Sequence, residues 1–176
     1  LLDTCVIYPT VMREMLLGVA RAGVFQPLWS NRILEEWARA ARKLGPDGEA
    51  QARAEIALVK AAWPKASVSY RPTTEARLYL PDEADIHVLA AAVDGSADAI
   101  ITLNRKDFPR QTLAEEGLER HDPDSFLHSV WMQEPDLVQS VASSVLSEAN
   151  RLSGDQWHMR GLLKKARLPR LAKALS

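Results

Sequence analysis

The chain has 176 residues, 47% of them apolar and 26% charged, with a formal net charge of −1. These values describe a folded domain with a real core and exclude a disordered polyelectrolyte, so any polyanion-binding surface has to be local. The single cysteine, Cys5, excludes an intrachain disulfide, and no apolar run nears the about 18 residues that span a bilayer. A reducing, cytoplasmic setting away from membranes is the expectation.

"LLDTCVIY" (1–8) reads as a buried strand that Pro9 ends. Thr10 is placed to cap a helix running to about Ala22 and closed by Gly23. "VFQPLW" is a short extended piece. Ser30 then caps "NRILEEWARAARKL", where Ile33, Leu34, Trp37 and Ala41 share one face. The Gly45–Gly48 loop leads to a helix from Glu49 to Trp63, stopped by Pro64. "ASVSY" alternates as a weak strand. Pro81 and Asp82 open the helix "DEADIHVLAAAVDG". "ADAIITLN" has the strongest strand pattern, "RQTLAEEG" is a short helix or turn, and "LERHD" is one more strand.

Strands alternating with helices predict an α/β domain over 1–122, three-layered α/β/α with a mainly parallel central sheet. Beyond it, residues 123–176 have helical patterns throughout and read as a helical C-terminal extension.

In such sheets ligands bind outside the carboxyl ends of the strands. Asp3 lies within its strand or at that end, Asn104 directly follows "AIITL", and Asp107 is three residues on. Glu35 and Glu36 sit on one amphipathic helix and Asp85 in the first turn of another. Clustered carboxylates repel one another unless a hard cation such as Mg²⁺ or Mn²⁺ neutralises them. Each acid also has a plainer reading. Asp82 is best explained as a helix cap, and Asp85 equally well as a first-turn acid. Asn104 and Asp107 have capping spacing, and a glutamate on a helix is commonly solvated. Asp3 resists this most, because an acid inside a strand has no capping role.

Other chemistries lack their signatures. There is no glycine-rich phosphate loop, the four histidines show no metal spacing, and Cys5 has no visible base partner. His87 stands near Asp85 in sequence without a clear role.

"LLDTCV", the acid in "SNRILEEW", "DEADIHVLAAA" and "AIITLNRKDFP", in that order and context, resemble a PIN domain. That family includes the VapC-type ribonuclease toxins of bacterial toxin–antitoxin pairs, and the segment from "HDPDSFL" resembles the C-terminal extension of a VapC-like subgroup. The resemblance implies an endoribonuclease that uses Mg²⁺ or Mn²⁺ to hydrolyse RNA phosphodiester bonds, acting as the toxin of a type II pair. It implies an RNA substrate, a cognate antitoxin and a homodimer. Carried over by residue, Asp3, Asp85 and Glu36 bind metal, with Glu35 as the alternative to Glu36. Asn104 stands where many members have an aspartate, and Asp107 is placed to supply the missing charge; both join the catalytic set. Thr4, Thr102, Arg105 and Lys106 are expected to contact substrate.

Two other readings compete. One is a PIN-like nucleic-acid-binding module whose acids have degenerated. The other is a phosphoryl-transfer enzyme with Asp3 as nucleophile, although such enzymes usually carry a second acid where Cys5 stands. The cations from Arg160 to Lys173 suit a solvated face, an RNA contact or an antitoxin dock.

Overall fold

The computed structural model describes residues 1–176. Two compact units emerge from one chain. The first comprises Leu1–Tyr8 and Pro27–His121, the second Pro9–Gln26 and Asp122–Ser176. The helix after Pro9 therefore groups with the C-terminal helices, which the linear division at residue 122 did not anticipate.

In the first unit the expected opening strand is cut short. Leu2 makes a single parallel bridge to Ile101, and Thr4–Ile7 is one turn of helix, α1. The chain bends there because Asp3 caps the turn, with its carboxylate accepting from the Thr4 amide. β1 (Trp29–Ser30) pairs in parallel with β2 (Ser67–Val68). β3 (Ala99–Ile101) pairs in parallel with β4 (Glu119–His121). Instead of one continuous central sheet there are two short parallel pairs, with residues 1–3 hydrogen-bonded to the backbone beside each. The Leu2 amide donates to the Leu28 carbonyl, and the Asp3 amide to the Ile101 carbonyl.

Around these strands lie α3 (Asn31–Ala40), a 3₁₀ turn (Ala41–Leu44), α4 (Gly48–Ala62) and α5 (Pro72–Arg77). A second 3₁₀ turn (Glu83–Asp85) leads into α6 (Ile86–Asp94), and α7 (Arg110–Glu115) follows β3. Ser30 caps α3 as its sequence suggests, its hydroxyl accepting from the Ile33 amide. In α6 every residue from His87 to Ala92 is buried. A helix apolar all round belongs in an interior, and its alanines allow close approach to β1 and β3, which it contacts. Trp29, Ile33, Trp37, Leu80, Leu89, Ile100 and Phe108 fill the core of this unit.

The second unit is helical: α2 (Thr10–Arg21), α8 (Pro123–Gln133), α9 (Pro135–Ser153), α10 (Met159–Lys165) and α11 (Pro169–Ala174). Thr10 is the first residue of α2 rather than its cap, because Pro9 occupies the cap position without a side-chain bond. α2 packs on α8 and α9, and a Cβ at Gly18 would collide with the Val141 side chain, so this glycine permits the approach. The buried carboxylate of Asp124 on α8 accepts from the Arg170 and Leu171 amides and so pins the start of α11. No helix is long and apolar enough to cross a membrane.

Candidate metal and substrate site

Asp3 sits where residues 1–3 end and α1 begins, beside the carboxyl end of β3. It is 6% exposed, yet each carboxylate oxygen has a donor. Oδ1 accepts from the Thr4 amide at 2.6 Å. Oδ2 accepts from the Thr102 hydroxyl at 2.7 Å and from the Cys5 thiol at 3.1 Å. Asp3 therefore does have a capping role, and its charge tolerates burial because it is hydrogen-bonded. Burial first, then the neighbouring Asp3, pushes the Cys5 thiol up to about 12. It remains a protonated donor at neutral pH, which suits packing against Asp3 and not nucleophilic attack.

Asn104 is a connector. Its Nδ2 donates to Asp85 Oδ2 at 3.0 Å, its Oδ1 accepts from the Asp107 amide at 3.4 Å, and its own amide donates to the Thr102 hydroxyl at 2.9 Å. These bonds join the end of β3 to the start of α6 and set Asp107 on the same rim. Arg120 on β4 supports the loop from outside. Its Nη1 donates to the carbonyls of Arg105 (2.8 Å) and Phe108 (2.7 Å), which bracket Asp107.

Asp82, Asp85 and Asp107 offer carboxylate oxygens that all lie within 4.8 Å of one another. Asp82 caps the 3₁₀ turn through Oδ1, accepting from the Ala84 amide at 2.9 Å. Asp85 occupies the cap position of α6 but makes no capping bond, so its carboxylate is left to the rim. Burial first, then the charges of Asp3, Asp82 and Asp107, push the Asp85 carboxyl up to about 6. No lysine or arginine forms an ion pair with any of the three. An all-oxygen donor set with uncompensated negative charge fits a hard divalent cation.

The two glutamates of α3 separate. Glu35 turns outward to Arg39 and Arg53 at 3.2 and 2.9 Å. Glu36 Oε2 accepts from the Thr4 hydroxyl at 2.7 Å, and Oε1 lies 2.8 Å from Nε2 of the fully buried His87. Burial raises the Glu36 carboxyl, but the His87 and Thr4 contacts outweigh it and hold the group below the usual carboxylate value. Neither Asp3 nor Glu36 belongs to the group of three acids within ligand range.

The expected site residues thus fall into different roles. Asp85 and Asp107 are brought together, and Asp82, read as a cap alone, joins them while keeping its cap. Thr102 is fully buried with its hydroxyl engaged by Asp3 and Asn104, so it orients the acids. Thr4 likewise directs its hydroxyl to Glu36. Arg105 and Lys106 are exposed on the turn that carries Asp107. His87 gains a contact that its helical position alone does not reveal, since Glu36 lies about fifty residues away in sequence.

A family model described as PIN domain matches residues 1–106. The chain belongs to the PIN-domain family. PIN domains are generally metal-dependent nucleases, and the three-acid group suits that chemistry. The match ends at residue 106, one residue before Asp107. No curated protein and no solved structure shows significant similarity to the chain.

Proposed function

We propose that the protein is a Mg²⁺- or Mn²⁺-dependent endoribonuclease that acts as the toxin of a type II toxin–antitoxin pair. The observation that carries the nuclease reading is the Asp82–Asp85–Asp107 group, unpaired with any cation and located beside two exposed cationic side chains on one turn. Asp85, Asp82 and Asp107 would hold the ion, with Asp3 adding its charge at the same rim. When bound, a divalent ion would supply an activated water and offset charge on the phosphate. Arg105 and Lys106 orient the scissile phosphate from the turn. Glu36, held below the usual carboxylate value and fixed by Thr4, would be the group to take a proton from the attacking water. Asn104 keeps Asp85 and Asp107 in register and is a connector before it is a ligand.

RNA as substrate, the antitoxin and the homodimer rest on the VapC resemblance. The test is incubation of purified protein with RNA and with DNA of the same sequence, with Mn²⁺ and with EDTA. Cleavage of RNA alone, absent in EDTA, is expected. Asp3→Asn should lower it by about 100-fold or more while the circular dichroism spectrum stays unchanged. Cleavage that persists in EDTA would sink the reading. Tight Mn²⁺ binding without cleavage of either polymer favours the degenerate binding module. Growth arrest on induction of the wild type, relieved by a co-expressed upstream reading frame, tests the toxin role.

A further inference from the structure

Residues 156–176 carry six cationic and no acidic side chains, a side-chain charge of +6 against −7 over the rest of the chain. These cations are Arg160, Lys164, Lys165, Arg167, Arg170 and Lys173, and all six are exposed. In the first unit Arg39, Arg53, Arg71 and Arg77 are each paired with an acid. None of the six is. Two acids on the helices packed against them are engaged elsewhere. Asp124 on α8 accepts two backbone amides, and Glu148 on α9 pairs with Arg151. None of these six charges is neutralised by an ion pair.

The scaffold beneath the charges is ordered. Leu162, Leu163, Leu168 and Leu171 are buried, and Asp124 fixes the start of α11. Lys165 lies 4.5 Å over the Trp157 ring. At the turn between α10 and α11, Arg167 has φ +61°, a conformation that glycine adopts without strain. A cation thus stands where the backbone alone would favour a glycine.

We propose that the α10–α11 elbow is a second RNA-contacting surface that grips the phosphate backbone. A partner protein normally requires exposed apolar anchors at the centre of its dock. No large apolar side chain of residues 156–176 is among the strongly exposed ones. Dense charge of one sign without such anchors matches a polyanion read through its phosphates. The inference rests on the nuclease reading for the choice of RNA, but it is tested by binding in EDTA, where no cleavage is required.

The experiment is fluorescence anisotropy of the full chain with a labelled single-stranded RNA, across a salt series in EDTA. The elbow variant is Lys164→Gln, Arg167→Gln, Arg170→Gln. The control removes equal charge from exposed positions elsewhere: Lys43→Gln, Lys60→Gln, Lys65→Gln. The elbow variant should bind at least about tenfold more weakly, and its log–log salt slope should fall by about 2, at roughly 0.7 per lost phosphate contact. The control should stay near wild type. Equal weakening of both variants, or none in either, overturns the proposal. So does a polyglutamate that displaces the RNA at equal charge, which assigns the elbow to an acidic protein. Should the triple variant fail to fold, Lys164→Gln with Lys173→Gln repeats the comparison. Wild type that binds RNA through the elbow yet never cleaves it would overturn the nuclease reading and leave this inference standing.

Discussion

Replacing Asp85 with asparagine separates the charge of the acid group from its shape. The substituted amide keeps an oxygen for the bond from Asn104, so the local geometry is retained. The carboxyl of Asp85 rises from 3.8 to about 6, chiefly through burial and then through Asp3, Asp82 and Asp107. Taken at face value, that shift is ~3 kcal/mol against the ionised form, and partial solvent screening reduces it to ~1–2 kcal/mol. The folded state holds this proton more tightly than the unfolded chain. Stability in EDTA should therefore fall as pH rises from 3.8 to about 6 and level off above. Asp85→Asn removes that penalty. In EDTA at pH 7.5 the variant should melt about 3–6 °C above wild type, with the gap shrinking towards pH 4. Mn²⁺ should reverse the order. At about a hundred times its Kd the ion stabilises wild type by ~2.7 kcal/mol, and it should not stabilise the variant. Thermal melts at both pH values, with and without Mn²⁺, give the answer. A variant less stable than wild type at pH 7.5 in EDTA, or a gap that ignores pH, would refute the idea that these acids repel one another across a shared cation site.

Three further outcomes follow from the same geometry. Asp82→Asn, which keeps a capping oxygen, should weaken Mn²⁺ binding in calorimetry with little change in melting temperature, whereas Asp82→Ala should also lose ~1 kcal/mol of stability. Arg120→Ala frees the loop that carries Asp107 and should lower Mn²⁺ affinity by about 10–100-fold, with lysine restoring part of it; unchanged affinity would show that the loop holds itself. Glu36→Gln should abolish most RNA cleavage while Glu35→Gln leaves it within error, since only Glu36 meets Thr4 and His87; equal effects would remove the distinction.

Much of the element order is legible because its signals are local. Ser30 and Asp82 are capping residues followed by helical or turn sequence, and Pro64 ends α4. The strand in "AIITL" and the buried Val88–Ala92 stretch of α6 announce themselves through unbroken apolar character. The opening segment misleads for a physical reason. "LLDTCVIY" is apolar enough to be a strand, but the same apolar residues serve one buried helical turn, and only the Asp3 bond to the Thr4 amide selects the turn. The grouping of α2 with the C-terminal helices is equally invisible, because it depends on packing at Gly18 and Val141, more than a hundred residues apart.

By itself the sequence determined which residue types stand at the strand ends and helix starts, and hence that acids of the PIN type could meet. Which acids meet was decided by tertiary structure. Neighbouring positions on a helix differ by about 100° in direction, and the Thr4 and His87 contacts decide that Glu36 and not Glu35 faces inward. Asp82 caps with one oxygen and faces Asp107 with its carboxylate, a dual role that no local pattern encodes. Asp3 turned from an unexplained charge in a strand into a hydrogen-bonded cap whose field acts on Asp85. Local preferences set the elements, but the energy of a carboxylate depends on every charge and donor within a few ångströms, and only the folded chain brings those together.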